Sequence, residues 1–122
     1  MKRDMELVIK ILEYFEARDE ISVITELDIP GYNKEVVAYH LRRMYEGGLL
    51  DAETIISKST ESRIINVLPF GLTWQGHEFL DFLRNRSISE KVRQRLGGSL
   101  SQVPFILIKE LALSFGRQQL GL

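Results

Sequence analysis

The residues with the strongest claim to chemistry lie in one stretch, 33–50, NKEVVAYHLRRMYEGGLL. Val37, Leu41 and Met44 recur there at helical spacing, so the segment Asn33–Gly47 is predicted to be a helix with one apolar seam. Asn33 can cap its start, because its side-chain oxygen accepts from a first-turn N–H that has no helical partner. The pair Gly47-Gly48 supplies a residue able to take positive φ and stop it. The other side of the helix carries Lys34, Tyr39, Arg42, Arg43 and Glu46. A planar guanidinium presents paired donors and can bond O6 and N7 of guanine together, worth ~1–3 kcal/mol of discrimination. The chemistry these residue types offer is therefore recognition of an anionic or hydrogen-bonding partner. A solvated helix face is the other reading of the same residues.

Bond-making chemistry finds no support. Cysteine is absent, which removes disulfides and thiolate metal sites and suits a cytoplasmic protein. His40 and His77 are the only histidines, and neither has a second ligand one helical turn away, so no metal site is expected. There is no Ser-His-Asp order, no nucleophile elbow, no phosphate-cradling glycine loop and no credible carboxylate pair. The expectation is a protein that is not an enzyme and needs no cofactor. For Trp74, Phe79, Phe82 and Phe70 a core or interface role is expected, rather than a platform for stacked bases.

The elements that must position the central helix can be read around it. Met5, Val8, Ile9, Leu12 and Phe15 predict a first helix over Asp4–Ala17, with Asp4 and Glu6 in the turn where the helix dipole favours carboxylates. Apolar residues at 21, 23, 27 and 29 alternate with Ser22, Glu26 and Asp28, which predicts a strand over Ile21–Ile29 ended by Pro30-Gly31. A short helix over Val23–Leu27 is the alternative. A β-hairpin follows, with arms near Leu50–Ser57 and Arg63–Leu72 and an edge or bulge at Pro69 and Gly71. Thr73 is placed to cap a helix running to Arg84, with Phe79, Leu80 and Leu83 inward. Ser87-Ile88-Ser89-Glu90 reads as a capping box for a short helix ending at Gly97-Gly98. Ser101 would cap the last helix, with Pro104 in its first turn and Val103, Leu107, Leu111 and Phe115 as its buried stripe.

The order helix, strand, helix, hairpin, helices resembles a winged-helix domain with a helical C-terminal extension. The segment Val37 to Leu50 resembles the recognition helix of bacterial winged-helix regulators, V-S-x-H-L-x-x-L-x-x-A-G-L-[IV], with Ala38, Met44 and Gly47 as departures. Nearly the whole chain is similar to a small bacterial and phage-borne family catalogued as domain of unknown function 2513. That likeness rests on Met1-Lys2-Arg3-Asp4-Met5, Tyr39-His40-Leu41, Leu72-Thr73-Trp74-Gln75-Gly76-His77-Glu78-Phe79-Leu80-Asp81, Gly97-Gly98-Ser99-Leu100, Lys109-Glu110-Leu111-Ala112 and Leu120-Gly121-Leu122. The resemblances imply an α+β, winged-helix-like fold in a single domain, with residues 1–72 forming the winged part and 73–122 the extension.

They also imply roles. Tyr39, Arg42 and Arg43 would face the major groove of double-stranded DNA, with Asn33 and Lys34 near a phosphate at the helix N-terminus. Lys58 and Arg63 flank the hairpin tip and would touch the DNA backbone. His40 would be semi-buried and bonded within the fold, and His77 would pack or cap. The function so implied is DNA binding by a small transcriptional-regulator-type protein of bacterial or phage origin. The competing expectation is a protein–protein interaction module, an adaptor of a phage or host-defence system on the same scaffold. The apolar last helix adds a homodimer surface to the expectations.

Composition sets the frame. A chain of 122 residues with 44% hydrophobic content and a mean hydropathy of −0.07 suits one folded domain, and no apolar run approaches a membrane span. Asp4 and Glu6 directly after Lys2 and Arg3 argue against a signal peptide. The net charge is −1 but unevenly spread. Residues 1–30 hold four Lys/Arg against eight Asp/Glu, and residues 64–122 hold seven against four. The densest positive run, Arg84, Arg86, Lys91, Arg93 and Arg95, lies in the second half. An acidic front and a basic back would orient the molecule in the field of a polyanion.

Overall fold

The structure, a computed structural model, describes residues 1–60, 64–95 and 104–121. Helix α1 (Met5–Ala17) is the central element. Asp4 caps it from just outside, its carboxylate accepting from the N–H groups of Glu6 and Leu7 at 2.9 and 3.3 Å. Its buried face is wider than the predicted stripe, because Leu7 and Ile11 are sealed along with Met5, Val8, Leu12 and Phe15. The chain then passes through an irregular segment to α2 (Lys34–Glu46), which packs on α1 through Val37, His40, Leu41 and Met44.

The predicted strand Ile21–Ile29 does not form, and neither does the short helix Val23–Leu27. Residues 20–28 form neither helix nor strand, and Ile24 N–H donates to the Pro69 carbonyl of the hairpin at 2.8 Å. The reason lies in Pro69. On a strand, the N–H and C=O of one residue point to the same side. Pro69 thus offers the coil an acceptor and no donor, and the ladder cannot propagate past it. Only the end of the alternating pattern is buried, at Leu27 and Ile29, whereas Ile21 is 87% exposed.

Strands β1 (Leu50–Ile56) and β2 (Ile64–Leu72) form an antiparallel pair with Leu50 opposite Leu72 and Ala52 opposite Pro69. The register slips between Asp51 and Ala52, so the expected irregularity at Pro69 and Gly71 is present, and slips again between Ile55 and Ile56. Among the described residues the remaining elements are α3 (Trp74–Arg84), α4 (Arg86–Arg95) and α5 (Phe105–Gln119). Together they give a mixed α+β architecture of five helices and one two-stranded hairpin.

Several C-terminal expectations shift. Helix α4 starts before the predicted box: Asn85 is its cap, accepting from Ile88 N–H at 3.2 Å, and Ser87 lies inside the first turn. Gly97-Gly98, Ser101 and Val103 fall outside the described residues. Pro104 directly precedes α5, and its carbonyl takes the N–H groups of Leu107 and Ile108. The buried seam of α5 is rotated from the predicted one. Ile108 is sealed, Leu111 and Phe115 pack partly against the core, and Leu107 is 44% exposed.

Polar contacts tie α3 to α1 and α5 to α3. Arg84 reaches from α3 to Glu16 of α1 at 2.6 Å, and Lys109 of α5 donates to Gln75 of α3 at 2.9 Å. No helix among the described residues is long and apolar enough to cross a membrane.

Candidate nucleic-acid interface

Helix α2 is anchored at both ends by backbone chemistry that its sequence encodes. Asn33 Oδ1 accepts from Val36 N–H at 2.9 Å. At the other end Gly47 stays right-handed, and Gly48 takes the positive φ, +79°. The turn so formed is gripped from α3. Thr73 donates its hydroxyl to Gly48 O at 2.5 Å and its N–H to Leu49 O at 3.1 Å, while its Oγ accepts from Gly76 N–H at 2.9 Å. Gly76 sits so close to Leu49 O that a Cβ there would lie 2.2 Å away. Thr73 and Gly76, within the segment Leu72 to Asp81, are thus the parts that fix α2 and the hairpin relative to α3.

His40 locks the inner face of α2 onto the start of α1. It is 2% exposed, its Nε2 accepts from Asp4 N–H at 2.8 Å, and its Nδ1 lies 2.8 Å from Val36 O. Since Nε2 is the acceptor, Nδ1 carries the proton and donates to Val36. Both nitrogens are committed to the fold, and the ring is more deeply buried than expected. His77 is exposed, against the expectation that it packs or caps, and no group of three His, Asp or Glu able to hold a metal ion occurs among the described residues.

The outward face of α2 holds the residues expected to meet DNA, and several of them make contacts within the chain. Lys34 is engaged, its ammonium 2.7 Å from Glu26; the carboxylate's hydrogen bond and charge raise the pKa of Lys34. Arg42 and Arg43 share one carboxylate, Glu46, at 3.4 and 2.6 Å. The hydrogen bond from Arg43 leads the downward shift of the Glu46 carboxyl and the upward shift of Arg43 itself. Tyr39 is half-buried rather than fully outward. Its ring meets the edge of His40 at 5.6 Å and lies under the Arg43 guanidinium at 5.1 Å. Ala38 is exposed between Lys34 and Arg42.

At the hairpin tip, Ser57 Oγ lies 3.2 and 3.3 Å from the N–H groups of Ser59 and Thr60, shaping the turn that presents Lys58 to solvent. Arg63 lies outside the described residues. Of the second basic set, Arg84 is spent on α1, whereas Arg86, Lys91, Arg93 and Arg95 stand exposed along α4. The four aromatics divide. Phe79 is buried, Phe82 and Phe70 are half-buried, and Trp74 is 78% exposed, which removes it from the core.

The pairing of Arg42 and Arg43 with Glu46 was within reach of the sequence, since i, i+3 and i, i+4 neighbours meet on a helix. The Lys34–Glu26 pair was not, because it depends on how the irregular segment folds back.

Comparison with known proteins gives one family. A family model described as "Hypothetical protein (DUF2513)" matches residues 2–98. A protein of Haemophilus influenzae (strain Rd) described as "Uncharacterized protein" is 30% identical over 123 residues, covering 99% of this chain and 100% of that protein. No solved structure matches. The chain belongs to the DUF2513 family.

Proposed function

We propose that the protein binds double-stranded DNA through the outward face of α2, on a winged-helix-like scaffold in which the β1–β2 hairpin is the wing. The observation that carries this reading is the stripe Lys34, Ala38 and Arg42, at i, i+4 and i+8, facing away from the buried seam. A small side chain between two cations lets a groove wall approach the helix backbone while the flanking cations reach phosphates or base edges. Glu46 and Glu26 hold these cations in the free protein. Exposed ion pairs are worth only about 0–1 kcal/mol, so a row of phosphates displaces them readily. Arg86, Lys91, Arg93 and Arg95 on α4 add positive charge that steers approach.

The test is binding to random-sequence duplex DNA as salt is varied, for the native chain and for Arg42→Ala/Arg43→Ala. Affinity is expected to fall with a log–log slope of about −0.9 per phosphate contacted, and the double variant is expected to show a shallower slope. No binding at low salt, or a double variant indistinguishable from the native chain, would overturn the reading. Glu46→Gln makes the opposite prediction. Releasing both arginines should tighten DNA binding by roughly two- to fivefold, the worth of exposed pairs of this kind. Weaker or unchanged binding would show that the cations do not work through release from Glu46.

A second reading, an interaction module or homodimer, is favoured by the exposure of Trp74 at 78% and of Ile106 and Leu107 on α5 at 61% and 44%. Sedimentation equilibrium of the native chain and of Ile106→Glu/Leu107→Glu distinguishes it. A dimer that the double variant dissociates supports a pairing role for α5. A monomer at all concentrations removes the homodimer.

A further inference from the structure

The only tryptophan of the chain, Trp74, opens the first turn of α3 and is mostly exposed. It follows Thr73, which is bonded to Gly48 O and Leu49 O in the turn that ends α2. The same turn supplies one wall of an open cleft of about 260 Å³ between the start of α1 and the inner edge of α2. Met5, Val8, Met44, Gly47 and Leu49 line that cleft, and the surface it exposes is almost entirely apolar. An exposed indole and an apolar hollow thus flank one turn.

The polar side chains that reach the cleft are spent within the chain. His40 has both nitrogens taken, by Asp4 N–H and Val36 O. Arg43 is bonded to Glu46 and Tyr39, and Arg3 has its own partner. A charged guest would shed its hydration on entry and find no free side chain to replace it. What fits is an uncharged, largely apolar ring. An indole qualifies, since its single N–H can stay at the open mouth in water, and the thioethers of Met5 and Met44 adapt to ring edges.

From this geometry we infer that the cleft receives Trp74 of a second copy of the chain, and that the exchange is reciprocal. Because knob and hollow lie on the same turn, a two-fold axis beside it seats each ring in the other copy's cleft and closes the assembly as a dimer. A head-to-tail contact would leave one knob and one hollow unused at the ends. An indole side chain buries about 150–250 Å², so two of them with the walls that cover them account for roughly 600–1,000 Å². That is below the ~1,200 Å² at which stable interfaces begin, so the pairing is weak and concentration-dependent, with a Kd on the order of 10–100 µM. The inference rests on the homodimer reading above but assigns another face, and it needs neither α5 nor nucleic acid.

The experiment pairs sedimentation equilibrium with tryptophan fluorescence of the full chain over the same concentrations, and the emission reports Trp74 alone. A monomer–dimer equilibrium is expected, with a blue shift of the emission and loss of iodide quenching at the same midpoint. Trp74→Ala should weaken pairing at least about tenfold. Gly47→Leu, at a φ of −77° that any residue adopts, should fill the cleft, weaken pairing similarly and leave Trp74 open to iodide at every concentration. Ile106→Glu/Leu107→Glu should change neither midpoint nor emission. A chain that stays monomeric to 10-fold above the expected Kd, or a dimer that forms without an emission change, overturns the inference. So does Trp74→Ala or Gly47→Leu pairing as tightly as the native chain. A dimer dissociated by the α5 double variant and untouched by Trp74→Ala overturns it in favour of α5. Far-ultraviolet circular dichroism of each variant separates a lost fold from a lost contact.

Discussion

Gly76→Ala is expected to destabilise the fold by about 3 kcal/mol, lowering the thermal midpoint by roughly 10 °C for a domain of this size. The added Cβ would sit 2.2 Å from Leu49 O, a backbone atom that no side-chain rotation can move away. Relief requires α3 to lift from the turn after α2. That lift would stretch the two bonds Thr73 makes there, its hydroxyl to Gly48 O and its N–H to Leu49 O. Gly71→Ala serves as control, because a Cβ at Gly71 would meet nothing within 4 Å. Gly48→Ala falls between the two. Its φ of +79° costs an L residue about 1–2 kcal/mol, while the nearest contact, Gln75 Oε1 at 3.5 Å, is tolerable. Denaturant or calorimetric unfolding of the three variants should rank them Gly76, Gly48, Gly71. A Gly76→Ala chain as stable as the native one would show that α3 does not depend on that close approach.

Replacing His40 should have an effect of similar size by another route. His40→Phe keeps an aromatic ring, somewhat larger than the imidazole, and deletes both hydrogen bonds, leaving Asp4 N–H without its acceptor. The expected cost is about 2 kcal/mol, the range for orphaning a partly buried donor. His40→Ala also opens a cavity beneath α2, and about 4 kcal/mol is expected. The local signature is hydrogen exchange at Asp4, whose amide should lose protection in both variants. Nitrogen-15 shifts of the native ring check the assignment directly, since a proton on Nδ1 and a bare Nε2 are required. The opposite tautomer would remove the basis for the Phe prediction.

The parts of the molecule legible in its sequence are those governed by neighbours along the chain. Asn33 and Thr73 cap where their side chains reach forward to Val36 and Gly76 N–H, and Val37, Leu41 and Met44 are buried as helical spacing requires. The hairpin and its irregularity at Pro69 followed from β-branched residues interrupted by a residue that cannot donate. What failed depended on distant partners. The alternation at Ile21–Ile29 is compatible with a strand, yet whether it pairs is decided by Pro69 on the far side of α2. Asn85 outcompeted Ser87 as the cap of α4 because the helix begins at Arg86, ahead of the Ile88 start that the Ser-x-x-Glu pattern implies. Trp74 follows its capping threonine into the first turn of α3 on the side away from the core, a matter of helix phase.

Pro69 also bears on how molecules of this protein meet one another. A two-stranded hairpin normally leaves bare edges on which a strand from a neighbouring chain can zip, the first step toward sheet-like aggregates. At Pro69 the β2 edge has nothing to offer such a strand, since its acceptor is already bonded to Ile24 and no donor exists beside it. The coil over 20–28 that lies there is held too loosely to be a strand and closely enough to occupy its place. The residue that keeps this sheet small thereby also denies an edge-on strand a place to pair at that position.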